Sequence, residues 1–502
     1  MSRLLVSRCV RCVCALVVVS CSSLAAGQPA SKQSERSLSE PIDIGSGLEL
    51  MVDDHLIAEL KGGAALKLHH PVAREVSLTH DQPWEGNASC YHTVFRDGDL
   101  YRMYYRGSHL ILGENTLRIA HQVVCYAESK DGIHWTKPDL GLVEFEGSKK
   151  NNILIGNGPA VHNFAPFLDA NPACKPDERY KALGGGGGGL MVYKSADGIH
   201  WSVMHDKPVI TEGAFDSQNL AFWDPIREEY REYHRAFRDG RDIMTTTSAD
   251  FVQWTKPVFL EYTPARLTEL YTNQINPYHR APHLFLGLPA RYIAGRGLLS
   301  LLNETIARSC QRCGSDYTDT GFIASRDATR FHVWGEAFIR PGPETGTNWA
   351  YGNKYTACGI VETPSNIPGA SNELSLYSSD DGYWRDHVIL RRYALRIDGF
   401  ASVAAGMSGG ELLSRPLVFA GSQLTINFAT SAAGSVRVEI QDAAGNAMDG
   451  FALADSADLF GDCISRQVSW KGGADVSKLA GKPIRLRVVL KDADLYSLQF
   501  MP

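Results

Sequence analysis

Three carboxylates recur at matching places in otherwise unlike stretches: Glu85 in Pro-Trp-Glu-Gly-Asn (83–87), Asp216 in Phe-Asp-Ser-Gln-Asn (215–219) and Glu269 in Glu-Leu-Tyr-Thr-Asn (269–273). Two carboxyl groups on opposite sides of a bond can divide acid–base work, one protonating the departing oxygen while the other attacks or activates water. Hydrolysis of a glycosidic bond needs such a pair. Side-chain amides and aromatic rings accompany the acids, and Trp84, Asn87, Asn163, Asn219, Tyr271, Asn273 and Asn353 are the candidate substrate-binding residues. Amides pair with hydroxyls, and rings cover apolar sugar faces. Asp216 is the strongest of the three acids. Polar Ser-Gln-Asn follows it, and Phe215 with Phe222-Trp223 supplies an apolar setting able to shift its pKa. Its competing role is an Asx-type turn cap.

A scaffold must bring these distant residues together, and the chain repeats a phrase that reveals one. SKDGIHW (129–135) returns as SADGIHW (195–201), with looser copies starting at Ser248, Ser325 and Ser379. Each copy sits between short alternating strands, so it reads as a hairpin turn: Ser and Asp bond turn amides, Gly takes a positive φ, and Trp packs the next strand. Five copies, with two more strands ahead of each, predict an all-β fold opened by a five-bladed β-propeller over residues 48–395. Residues 48–57 are the expected strand that closes the ring, since closure removes an exposed edge. Beyond residue 396 the phrase stops, and strands at 417–420, 423–429, 435–442, 467–470 and 484–490 predict a C-terminal β-sandwich over 396–502. In a propeller the innermost strands begin at one mouth. The five mouth stretches carry all ten candidate residues, placing Glu85, Asn163, Asp216, Glu269 and Asn353 on five different blades.

Residues 1–26 read differently. Arg3, Arg8 and Arg11 precede an apolar run (13–19) and then small residues, the layout of a secretory signal peptide. Val-Val-Ser-Cys (18–21) also matches a lipid-attachment pattern, which would anchor the chain at Cys21. Residues 27–47 read as a linker. The apolar run is too short to span a bilayer, and a net charge of −6 over 502 residues excludes a nucleic-acid surface as the main partner. Cys310-Gln-Arg-Cys313 is either a local disulfide or half of a zinc site. The run of six glycines (184–189) lacks the Lys-Ser/Thr of a phosphate loop and reads as a hairpin. No cofactor is expected. Oxygen-rich mouth residues could suit calcium, but no ligand spacing points to it.

The Ser-x-Asp-Gly-x-x-Trp turns, the mouth carboxylates and the trailing sandwich together resemble the five-bladed glycoside hydrolases of the invertase, levansucrase and arabinanase type (families 32 and 43). The chain looks most like secreted bacterial proteins of the family 32-like group, through Pro-Trp-Glu (83–85), Phe-Asp-Ser-Gln-Asn (215–219), Leu-Tyr-Thr-Asn (270–273) and Arg-Ile-Asp-Gly-Phe (396–400). That resemblance implies a secreted enzyme acting on an extracellular poly- or oligosaccharide, with Asp216 and Glu85 as the carboxylate pair and Glu269 in reserve. It departs from the invertase pattern, because blade one lacks Trp-x-Asn-Asp-Pro and blade three lacks Glu-Cys. Fructan or sucrose hydrolysis therefore does not carry over. The heptapeptide also looks like the sialidase Asp-box, one residue shorter between Asp and Gly, but sialidases have six blades. The alternative to an enzyme is a propeller that binds carbohydrate or a cell-surface partner without cleaving it.

Overall fold

Short alternating strands with one apolar face bury it only by stacking sheet on sheet, and here five sheets do so in succession. The computed structural model describes residues 40–502. Blade one runs from the inner strand Cys90–Asp97 through Leu100–Gly113 and Thr116–Ser129 to Trp135–Thr136 and Ile153–Ile155 at the outer edge. Blade two is Ala165–Leu168, Tyr180–Gly186, Gly189–Ser195 and Ser202–Val203. Blade three is Leu220–Asp224, Glu229–Phe237, Arg241–Ser248 and Val258–Phe259. Blade four begins with Asn276–Tyr278 and Ala281–Gly287 and returns through Ile323–Ser325 and Arg330–Val333. Its central hairpin extends past the sheet through Ala290–Ile293 and Tyr317–Thr320, and the tip carries a helix, Leu301–Ser309, capped by Ser300. Blade five is Val361–Thr363, Glu373–Asp381 and Ile389–Arg396.

The repeated phrase is the hairpin turn expected of it. In the first copy the Ser129 hydroxyl accepts from the Gly132 amide at 2.9 Å, and the Asp131 carboxylate accepts from the Ile133 and His134 amides at 2.8 Å each. The same bonds recur from Ser195, Ser248 and Ser325. The fifth copy differs: Asp380 belongs to the strand Glu373–Asp381 and pairs with Lys354 and Arg391. The glycine run is a hairpin as well, with Gly186 opposite Gly189.

Two expectations need correction. The strand that closes the ring is Val72–Thr79, antiparallel to Ile389–Arg396, and not residues 48–57. The latter lie in the C-terminal layer, where Glu49–Leu50 pairs with the strand Ile484–Met501, because Asp53 and Asp54 interrupt the alternation a closing strand needs. The stretch expected as linker likewise contributes Ile42–Gly45, parallel to Leu417–Phe419. The C-terminal layer is thus built from both ends of the described chain. Two long bent strands, Gln423–Asp442 and Ile484–Met501, wrap a core of Leu424, Ile426, Phe428, Val436, Val438 and Ile440. A second core joins this layer to the propeller, packing Leu48, Leu50 and Val52 with Phe322, Phe338, Leu374 and Phe400. The leader (1–26) and the lipid-attachment site at Cys21 lie outside the described residues.

Candidate functional site

The inner strands begin around a narrow axis, where Ala165, Leu220 and Cys358 from blades two, three and five touch. Gln218 crosses it, donating to the carbonyls of Tyr91 and His92 at 3.2 and 3.1 Å. Above this plug the mouth stretches of all five blades converge, and the side chains that meet are tyrosines. Tyr91 stacks on Tyr355 with ring centres 6.3 Å apart and meets His162 edge-on at 6.0 Å. Tyr271 stacks on Tyr355 at 5.6 Å and meets Tyr351 edge-on at 6.0 Å.

Asp216 stands at this mouth. Its side chain is 69% exposed, it pairs with the nearly buried Arg235, and its carbonyl accepts from the Tyr91 hydroxyl at 3.3 Å. Behind its loop lies a fully buried pair, Glu232 and His234, 2.7 Å apart, with His234 against the Phe215 ring. The other two acids are engaged elsewhere. The Glu85 side chain has no exposure: Lys137 Nζ lies 2.7 Å away, the Tyr105 hydroxyl donates at 2.5 Å and the Gln82 amide at 3.0 Å. It sits within blade one, so the expected pairing of Glu85 with Asp216 across the mouth is not formed. Glu269 is 27% exposed and bound by Arg241, through the side chain at 2.8 Å and the backbone amide at 2.9 Å.

The candidate amides turn out to hold the mouth loops rather than line it. Asn87 closes a two-bond ring with the backbone of Leu110, at 3.0 and 2.8 Å. Asn163 donates to the carbonyls of Phe215 and Ser217 and accepts from the Gly185 amide, tying blade two to blade three. Asn219 donates to the same two carbonyls, Asn273 to Tyr233 and Asn353 to Thr347. Chain entering an inner strand leaves carbonyls without strand partners, and an amide side chain satisfies them. Trp84 faces blade one's outer loop, donating to Asn152 at 2.7 Å and packing on Phe145. Of the substrate-binding candidates, Tyr271 alone joins the mouth cluster.

The arginines were not singled out from sequence. Arg106 and Arg235 lie on the second strands of blades one and three, 4.7 Å from the ring centres of Tyr91 and Tyr271 respectively. Arg312, from the helical insert, is 5.6 Å from the Tyr351 ring. Burial alone would raise the Tyr271 phenol, but the Arg235 charge and hydrogen bonds with Tyr351, Tyr91 and Arg235 bring it below the ordinary tyrosine value. Burial first, then the charges of Arg106 and Arg235, push His162 down to about 3, so it is neutral at physiological pH. Cys310 and Cys313 are disulfide-bonded. Among the described residues no group of three or more His, Cys, Asp or Glu side chains is placed to hold a metal. None of the described helices is long and apolar enough to cross a membrane.

No family model matches the chain. Uncharacterized proteins from two strains of Mycobacterium tuberculosis are 48% identical over 58 residues, which is 12% of this chain and 19% of theirs. The chain thus spans about a fifth of the length of these curated relatives. Solved structures to which it is similar include an N-acetylgalactosamine deacetylase from F. plautii in complex with blood group B trisaccharide, at 13% identity and TM-score 0.40 over 66% of this chain and 94% of that one. A beta-1,2-mannobiose phosphorylase from Listeria innocua gives 11% identity and TM-score 0.43 over 66% and 97%. A glycosyl hydrolase from Bacteroides ovatus gives 14% and 0.36 over 67% and 96%. The chain's own sheets define its class, a β-propeller carrying a sandwich layer.

Proposed function

We propose that this is an exported carbohydrate-active propeller that binds a poly- or oligosaccharide at the Asp216 mouth and hydrolyses an O-glycosyl bond there. The observation that carries the reading is the convergence of all five mouth stretches on one open carboxylate set among stacked tyrosine rings. Such rings present flat apolar faces of the kind that cover a sugar, beside a group able to move a proton. The residue-level resemblance to the invertase and arabinanase propellers supports the same reading. Asp216 has the acid–base or nucleophilic role, and Glu269, on the adjacent blade, is the second carboxylate once Arg241 releases it. Export rests on the layout of residues 1–26.

A second reading is favoured by one observation: Glu85 and Glu269 are both bound to cations. A mouth in which every candidate acid has a cationic partner suits a module that holds a saccharide without cleaving it. Turnover of a glycan panel by the native protein and by Asp216→Asn separates the two. Hydrolysis by the native protein that falls about a hundredfold or more in the variant supports catalysis. Equal turnover in both rejects the role given to Asp216, and binding without turnover supports the second reading.

A further inference from the structure

The mouth carries more positive charge than its acids neutralise. Arg235 is matched by Asp216 and Arg241 by Glu269. Arg106 is only 8% exposed, and no carboxylate among the described residues lies within ion-pair distance of it. Its donors reach the Ala88 carbonyl at 3.1 Å, the Cys90 sulfur at 3.0 Å and His162 Nδ1 at 3.4 Å. These contacts leave Arg106 Nε without a hydrogen-bond partner and the charge uncompensated. A buried guanidinium without a counter-ion is costly, and removing such a group from water is offset only by a partner of opposite charge. Arg312 adds a second guanidinium at the same rim, against Tyr351, and also has no ion-pair partner among the described residues. Tyrosine hydroxyls link these groups, with Tyr271 bonded to Tyr91, Tyr351 and Arg235, and Tyr351 bonded to Tyr355 and Arg312.

We propose that this mouth is an oxyanion site, in which Arg106 and Arg312, aided by the tyrosine hydroxyls, bind a carboxylate, sulfate or phosphate group. The assignment rests on the saccharide reading above and narrows it: the oxyanion is carried by the sugar, making the ligand an acidic oligosaccharide. Guanidinium groups suit this role because they are always charged and their planar fork matches an oxyanion. Burial, and after it the charges of Arg106 and Arg235, keep His162 neutral. Neutral His162 can accept from Arg106 and leaves the positive charge to the guanidinium. Asp216, on the exposed side with its own arginine, remains available to the bond being cleaved.

The test is calorimetric titration of the purified protein with matched ligands: an oligogalacturonide and its neutral methyl ester, a sulfated oligosaccharide and its desulfated form, and inorganic phosphate alone. An acidic ligand is expected to bind about ten- to a hundredfold tighter than its neutral twin, the worth of one to two charge-assisted hydrogen bonds. Arg106→Gln is expected to abolish that ratio and Arg106→Lys to keep part of it. If Arg106→Gln does not fold, Arg312→Gln decides, because Arg312 is exposed and its loss should narrow the ratio without unfolding the protein. Equal binding of acidic and neutral twins by native and variant proteins overturns the oxyanion site and leaves the saccharide reading standing. Binding of phosphate without any saccharide supports the oxyanion site and overturns the saccharide reading. Absence of binding by every ligand overturns both.

Discussion

The left-handed position of the repeated turn is filled by Gly132 and Gly198 in blades one and two, at φ 71° and 79°, but by Phe251 and Ala328 in blades three and four, at 68° and 69°. A side chain there costs about 1–2 kcal/mol. Phe251 offsets that cost by burial against Phe167, Tyr230 and Trp254. Gly132 has no such latitude, since a Cβ would lie 2.9 Å from Thr363 Cγ2 and 3.1 Å from the Tyr101 ring. Gly132→Ala is therefore expected to lower unfolding free energy by about 2–4 kcal/mol, backbone strain plus overpacking. Gly141, at a similar φ with nothing within 4 Å, isolates the strain. Gly141→Ala should cost only about 1 kcal/mol, and urea titration of both variants checks the difference. At this scale the sequence shows where a carboxylate stands but not whether it is free. Asp216 was legible because its loop is polar and its position recurs. The enclosure of Glu85 depends on Lys137, 52 residues away, and the hold on Glu269 on Arg241 in the preceding blade. Arg106 and Arg235 escaped notice because a charge on an alternating strand ordinarily points to solvent.

Among the elements, the repeated turn was the most legible, because a local hydrogen-bond pattern fixes it and its residue types are the pattern. The closing strand was the least. Val72–Thr79 is an outermost strand with exposed Val72 and Val76, so its alternation is weak, whereas residues 48–57 look more apolar and bury elsewhere. Those residues are tied to blade four by Arg326, from the fourth turn, which lies 2.5 Å from Glu49 and 2.9 Å from Asp53. Arg326→Met leaves two carboxylates without their cation and is expected to destabilise the protein by about 3–5 kcal/mol, read from denaturant midpoints. Burial alone would raise the Glu49 carboxyl, but the hydrogen bond with His283 and the Arg326 charge hold it at about 2. Its folded pKa is thus below the value of about 4.3 in an unfolded chain. The stability it contributes is complete above that value and is lost as pH falls toward 2. Acid titration of native protein and Arg326→Met should show the native protein losing more stability through this window.

For the whole molecule, the shared core of Leu48, Leu50 and Val52 with Phe322, Phe338 and Phe400 makes sandwich layer and propeller one cooperative body. Scanning calorimetry is expected to show a single transition, and two well-separated transitions would contradict the shared core. The propeller class and its count of blades could be read from the repeat; the interleaving of both chain ends in the sandwich could not, because pairing between residues more than 370 positions apart leaves no local signal. The saccharide is assigned to the mouth at the start of the inner strands. A rival location exists toward the opposite end of the inner strands, a cavity of ≈ 470 Å³ lined by Arg96, Gln274, Asn276, His279 and Glu362 among others. Hydrogen exchange measured with and without a bound oligosaccharide distinguishes the two ends most directly. Slowed exchange is predicted in the mouth stretches near residues 91, 162, 216, 271 and 351–355, drawn from all five blades, with residues 94–96 and 359–362 unchanged. Protection confined to the far cavity, with the mouth unaffected, would place the saccharide there and not at the mouth.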